Sequence, residues 1–333
     1  MLRSLIQKRM VILILLAIVA SGIKTQAQQE KMFSQYMFNM LALNPAYAGN
    51  RDVLSATALY RNQWGGVPGA PKTMTFTIDA PLNSEKAGLG LQIYNDQIGI
   101  FNETGVFASY SFRVKLSERT TLSLGLQGGA INLNANYLSV QTSQGQFGVD
   151  EAFAQNFSKI LPNFGGGFFL SNDRGYFGVS MPNVLKNKVT SSFSEDATQQ
   201  RHVYGMAGFV LGSGAFKVKP SMLAKYVTGF GVGLDGNVNF WFNDRIAIGG
   251  SYRWNQTRLI GDQAANRAIV SGDAIVGMLE LQLTPQFRLG YAYDWTVNGF
   301  SQNGKIGNIP SHEFMLRYEF GFSKSKILTP RYF

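Results

Sequence analysis

Between Thr73 and Asp79 the chain reads Thr-Met-Thr-Phe-Thr-Ile-Asp, polar and apolar residues alternating at every step. A β-strand turns successive side chains to opposite faces, so this segment predicts a strand with one wet face and one greasy one. The pattern recurs from Val53 to Phe322 in stretches of about ten residues, the length at which a tilted strand crosses a bilayer. In the third candidate strand Leu89, Leu91 and Ile93 oppose Gly88, Gly90, Gln92 and Tyr94. In the fourth, Val106, Ala108, Tyr110, Phe112 and Val114 oppose Gly105, Ser109, Ser111, Arg113 and Lys115. In the ninth, Phe216, Val218, Met222 and Ala224 oppose Lys217, Lys219, Ser221 and Lys225. A small water-soluble barrel carries the same alternation with its apolar face inward, so the pattern alone leaves two architectures open.

The N-terminus and the connections choose between them. Arg3, Lys8 and Arg9 precede an apolar run from Val11 to Ala20, followed by Ser21-Gly22-Ile23-Lys24-Thr25-Gln26-Ala27. This reads as an export signal over residues 1–27, cut before Gln28, with an apolar run too short to span a bilayer. Short turns are expected at Leu82–Lys86, Ser117–Arg119, Asn172–Arg174, Gly212–Gly214, Asn243–Asp244 and Thr284–Pro285. Longer loops are expected at Asn62–Lys72, Asn95–Asn102, Asn134–Pro162, Asn183–Arg201, Asn255–Ile269 and Val297–Pro310, with a shorter link near Thr228–Gly231. Short turns at one end and long loops at the other mark an outer-membrane barrel, here of about fourteen antiparallel strands over residues 53–322. Both termini then lie in the periplasm. Trp64, Trp241, Trp254 and Trp295 fall near strand ends, where an aromatic girdle would sit. Phe76 should face lipid and Thr75 the lumen.

Residues 28–52 form a lead-in, periplasmic or tucked into the lumen, with Met32, Phe33, Tyr36, Met37 and Met40 near helical spacing. Residues 323–333 form a basic periplasmic tail. With 37 Gly, 25 Phe and 14 Tyr but only 15% charged residues, the composition suits a barrel better than two soluble domains.

Catalysis finds little to work with. There is no cysteine, so neither disulfides nor thiolate chemistry is available. The net charge of +10 falls to +6 without Arg3, Lys8, Arg9 and Lys24, and the remainder is dispersed, which speaks against nucleic acid as a partner. His202 and His312 fall on the eighth and fourteenth strands, nearly opposite each other, too far apart to share one catalytic site. Gly165-Gly166-Gly167 lies inside a strand and fits wall packing or curvature better than a phosphate loop. Asp262 and Asp273 match no calcium-ligand spacing. The expectation is a non-enzyme with no cofactor and no metal.

Several short motifs carry a resemblance. Phe33-Ser34-Gln35-Tyr36-Met37-Phe38-Asn39 is followed by Asn44-Pro45-Ala46-Tyr47-Ala48-Gly49, then Tyr60-Arg61-Asn62-Gln63-Trp64 and Gly178-Val179-Ser180-Met181-Pro182-Asn183. Lys219-Pro220-Ser221, Gly249-Gly250-Ser251-Tyr252-Arg253, Gly290-Tyr291-Ala292-Tyr293-Asp294, His312-Glu313 and Pro330-Arg331-Tyr332-Phe333 complete the series. In number, order and spacing they resemble the PorP/SprF family, outer-membrane proteins of the type IX secretion system of Bacteroidetes. That resemblance implies a barrel supporting export or surface anchoring of proteins with type IX C-terminal domains, gliding adhesins among them. It also implies a periplasmic secretion ring and a peptidoglycan-associated adaptor as partners. It carries over no catalytic, cofactor or metal residues. Neither end of the mature chain is needed to close the barrel, so Asn44, Pro45, Tyr47 and Gly49, with Pro330, Arg331, Tyr332 and Phe333, are the candidate partner contacts. A competing reading has Asn44-Pro45 turning the chain into the first strand and Phe333 assisting barrel assembly. A different function also stays open: a channel or transporter for small solutes, with a lumen lined by Gly, Ser, Gln, Lys and Arg and closed by residues 28–50.

Overall fold

The computed structural model describes residues 31–82, 86–139, 155–189, 198–228, 231–255, 274–297, 300–302, 305–307 and 309–321. The expected export signal, the Asp262–Asp273 region and the tail with Pro330–Phe333 lie outside the described residues.

The strands are β1 (Leu54–Asn62), β2 (Lys72–Pro81), β3 (Ala87–Ile98), β4 (Phe101–Lys115) and β5 (Thr121–Ala135). They continue as β6 (Phe157–Ser171), β7 (Gly175–Met181), β8 (His202–Phe209), β9 (Phe216–Val227) and β10 (Gly231–Phe242). The last are β11 (Ile246–Asn255), β12 (Ala274–Gln282), β13 (Phe287–Thr296), β14 (Phe300–Gln302), β15 (Lys305–Gly307) and β16 (Ser311–Phe320). All but β14 and β15 form one closed barrel in which each strand pairs with its neighbours in sequence. β1 pairs antiparallel with β16, from Leu54↔Phe320 to Asn62↔His312, which closes the ring. β14 and β15 form a small hairpin within the last loop. Closure removes every sheet edge, so the backbone hydrogen bonds of the wall are met without water.

The faces are inverted relative to a soluble protein. Met74 and Phe76 point outward, while Thr73, Thr75, Thr77 and Asp79 are buried inside. Leu126 and Ile160 are each 70% exposed on the outer wall. A belt of this extent is untenable in water and is the stable arrangement in lipid. No helix among the described residues is long and apolar enough to cross a membrane; the strands do the crossing.

Three expectations need correction. Asn95–Asn102 is not a loop: β3 and β4 stay paired to Ile98↔Phe101 and turn at Gly99 and Ile100. Gly99 has φ 58°, a left-handed conformation that favours glycine, which permits so tight a turn. Likewise β5 and β6 remain paired to Ala135↔Phe157, well into the expected Asn134–Pro162 loop. With fifteen residues each, at about 3.3 Å per residue and a tilt near 40°, β4–β6 rise roughly 38 Å against an apolar band of ~25 Å. About a third of their length therefore stands clear of the apolar band and can be polar. Finally, Trp254 and Trp295 face outward, but Trp241 is 2% exposed and turned into the lumen, so it is no girdle residue.

Candidate functional site

The lumen is occupied by the chain's own N-terminal segment. Every residue from Phe33 to Arg51 is buried except Ala42, which is half-buried. The segment is not an α-helix but three short 3-10 turns, Tyr36–Phe38, Met40–Ala42 and Pro45–Tyr47. It is surrounded by wall on all sides, so side chains from the strands take up many of the hydrogen bonds that a helix would keep to itself. Its Phe33, Tyr36, Met37, Met40, Leu41, Leu43 and Tyr47 form an apolar core with wall residues such as Leu59, Phe169, Tyr176, Met206 and Met315.

This plug traverses the barrel. Near the end with the long loops, Ser34 sits at the centre of a buried ionic hub. Its hydroxyl donates to Asp294 at 2.7 Å and accepts from Arg61 at 2.8 Å and Arg253 at 3.0 Å. The Glu313 carboxylate accepts the backbone N–H of Ser34 at 2.8 Å and that of Gln35 at 2.7 Å. Arg61 also bonds Asp294 at 2.6 Å and Glu313 at 3.1 Å, while Arg253 reaches Asp235 at 2.7 Å and Asp294 at 3.2 Å. Lys225 completes the hub at 2.8 Å from Asp235. Three cations thus balance three carboxylates, contributed by β1, β9, β10, β11, β13 and β16 and gathered around one serine. Buried charges are tolerated when paired and hydrogen-bonded, and here the plug supplies the missing donors. Beyond the hub, Lys31 bonds Glu103 at 3.0 Å and lies over the Tyr94 ring.

Further down, Tyr36 donates to Ser221 at 3.1 Å, and the Ser180 hydroxyl donates to the Leu43 carbonyl at 2.6 Å. Arg317 donates to the Phe38 carbonyl. The Asn44 side chain accepts from the Ala46 N–H at 3.0 Å and donates to the Phe168 carbonyl at 2.9 Å. Tyr47 packs edge-on against Phe169. At the end with the short turns, the Gly49 N–H donates to Asp79 at 2.9 Å and Arg51 bonds Glu319 at 2.7 Å. The wall is trimmed to admit the plug: a Cβ on Gly125 would overlap the Ala46 backbone, and one on Gly88 would overlap the Ala48 carbonyl.

Of the candidate contact residues, Asn44, Pro45, Tyr47 and Gly49 are therefore brought together inside the lumen, with their side chains and backbone engaged by the wall. Pro330, Arg331, Tyr332 and Phe333 lie outside the described residues. His202 and His312 stand on β8 and β16, across the barrel from each other. His312 meets the Tyr291 hydroxyl at 2.9 Å and His202 meets the Gln200 carbonyl at 3.1 Å. Gly165–Gly167 belong to β6, where a Cβ on Gly167 would crowd Asn44 and Ser180.

The hub was not anticipated, although its parts were in view. Ser34, Arg61, Arg253, Asp294 and Glu313 each belong to one of the short motifs quoted above, as do Ser180 and Ser221. Among the described residues, the motifs that carry the family resemblance are the plug itself and the wall segments that hold it. The signal that could have exposed them is a charge on an inward position near the loop end of four separate strands.

A family model described as the type IX secretion system membrane protein PorP/SprF matches residues 25–318. Among solved structures, the CymD monoaromatic hydrocarbon channel is similar in fold, with TM-score 0.52 and 11% identity over 91% of this chain and 97% of that one. A Pseudomonas aeruginosa FadL homologue gives TM-score 0.46 and 12% identity over 84% of this chain and 93% of that one. No curated protein sequence matches the chain.

Proposed function

Since the chain belongs to the PorP/SprF family of type IX secretion system membrane proteins, we propose that this outer-membrane barrel supports export or surface anchoring of proteins with type IX C-terminal domains, and that it does so by contact rather than catalysis or conduction. The observation that carries this reading is the plug. A lumen filled by well-bonded chain from Phe33 to Arg51 offers no ready path for solute. Function then falls to the surfaces at the two ends: the long strands β4–β6 and the loops on one side, the short turns and the tail on the other.

In this reading the loop end receives exported cargo, gliding adhesins being one class. The turn end, with Pro330, Arg331, Tyr332 and Phe333, meets the periplasmic ring and a peptidoglycan-associated adaptor. Asn44, Pro45, Tyr47 and Gly49 contribute indirectly, by holding the plug and so the shape of the turn end. The solute-channel reading would require the plug to leave, and CymD's fold carries no argument about what passes through this barrel.

The test is to remove residues 330–333 and measure three things together: folded barrel, surface level of an exported adhesin, and co-purification of periplasmic partners. The expected result is a folded barrel with reduced export and reduced co-purification. Unchanged export and co-purification would overturn the contact role of the tail. Loss of membrane insertion would assign the tail to assembly instead.

A further inference from the structure

Outside the lumen, a recess of about 690 Å³ opens on the lipid-facing wall, across the seam between β1 and β16. At its middle lies Ala58, paired with Leu316 on one neighbouring strand and Phe76 on the other, so a small side chain sits between two large ones. The lining, with Ile93, Leu289 and Phe314 among its members, is almost wholly apolar. It extends from β12 to β4. Leu281 stands one residue before the turn-end limit of β12, whereas Asn95 and Thr104 lie three residues from the loop-end limits of β3 and β4. The recess therefore slants through the membrane and reaches the boundary of the apolar band at the loop end.

At that boundary the outward face changes character. Ile93 on β3 gives way to Asn95 and Gln97, Val106 on β4 to Thr104 and Asn102, and Met74 on β2 to Lys72. These polar residues are neighbours, since Lys72 pairs with Gln97 and Gln97 with Asn102. The Asn95 side-chain amide donates to the Asn102 side-chain oxygen at 2.7 Å and to the Thr104 hydroxyl at 2.8 Å, while Lys72 and Gln97 are exposed beside them. Amides and a hydroxyl can exchange hydrogen bonds with sugar hydroxyls, and an ammonium group suits a phosphate. An apolar trough capped at one end by such a cluster has the layout of an amphiphile. A second barrel would offer a convex wall and meet the trough only along its rim, leaving its floor without contacts.

We propose that this recess binds a phosphorylated glycolipid of the outer leaflet, of the lipid A class. An acyl chain lies over Ala58, and the sugar phosphate is held by Lys72, Gln97 and Asn102. The site lies on the opposite side of the wall from the plug and stands independently of the secretion reading.

The test is native mass spectrometry of the full barrel, stripped of lipid in detergent and titrated with diphosphoryl lipid A, which should be retained at one per barrel. Dephosphorylated lipid A and phosphatidylethanolamine should each bind about tenfold more weakly, the loss expected when a hydrogen bond to a charged group is removed. Gln97→Glu sets a negative charge beside Lys72; it should weaken diphosphoryl lipid A by a similar factor and leave the dephosphorylated lipid unchanged. Ala58→Trp fills the trough and should abolish retention, whereas Ala207→Trp on β8, across the barrel, should preserve it. Equal binding of the three lipids, or equal losses from Ala58→Trp and Ala207→Trp, would overturn the proposal. So would a lipid-free parent barrel that runs as a dimer where Ala58→Trp runs as a monomer, which would give the recess to a second copy. Should Ala58→Trp fail to insert, the lipid series and Gln97→Glu decide the matter alone.

Discussion

Ser34 is a single hydroxyl with charged partners on strands from both ends of the sequence. Arg61 and Asp294 are each 2% exposed and Glu313 is fully buried, so the hub has little water to fall back on. Arg61→Met would leave Asp294 and Glu313 short of their closest cation, and removing one partner from a buried ion pair typically costs about 3–5 kcal/mol. Ser34→Ala removes one donor and one shared acceptor while leaving the charges matched, which should cost about 1–3 kcal/mol. Urea unfolding of the purified barrel should rank the two in that order. Equal effects from Arg61→Met and from an exposed change such as Lys72→Met would mean that the hub is hydrated and contributes little.

At the scale of the strand, the wall obeys a simple rule: the outer face answers to lipid and the inner face to the plug. Phe76, 42% exposed on β2, belongs to the first set. Phe76→Arg should cost about 2–4 kcal/mol near the midplane, whereas Phe76→Leu should be close to neutral. The readout is the fraction of heat-resistant folded barrel, and similar losses for both variants would remove Phe76 from the lipid face. This two-sided environment is why so much of the fold was legible in sequence. Period-two alternation in β2, β4 and β9 follows directly from lipid on one side and a polar lumen on the other. Where the contrast fades, so does the signal. The upper parts of β3 and β4 are polar on both faces, so Asn95, Asp96 and Asn102 look like loop residues although they are paired. Trp241 lies between Phe240 and Phe242, and three aromatics in a row conceal which one points inward. The plug's short turns cannot be inferred from Met and Phe spacing, because they are shaped by walls far away in sequence. The hub is harder still: its charges are single residues on separate strands, meaningless until the barrel closes.

For the whole molecule the question is whether the plug ever leaves. The native chain has no cysteine, so a lock can be built cleanly. A Cβ on Gly90 would lie 3.4 Å from that of Ala48, close to disulfide spacing, which averages about 3.8 Å. Ala48→Cys with Gly90→Cys should therefore crosslink plug to wall, and export of an adhesin should persist under oxidising conditions. Export that stops on oxidation and resumes with reductant would show that the plug must move, and would reopen the conduction reading. The plug has one more consequence, in time rather than space. Ser34 and Glu313 are 279 residues apart in the chain, and the hub draws on β1 and β16, the two strands whose pairing closes the ring. Contacts of such long range pay their loop-closure entropy before they are rewarded, so they form late. The N-terminal segment, made first, must therefore wait for the C-terminal strand before it can seat. A chain cut short before β16 would have neither a closed seam nor a docked plug, and its N-terminal segment would stay open to the proteases that clear failed assemblies.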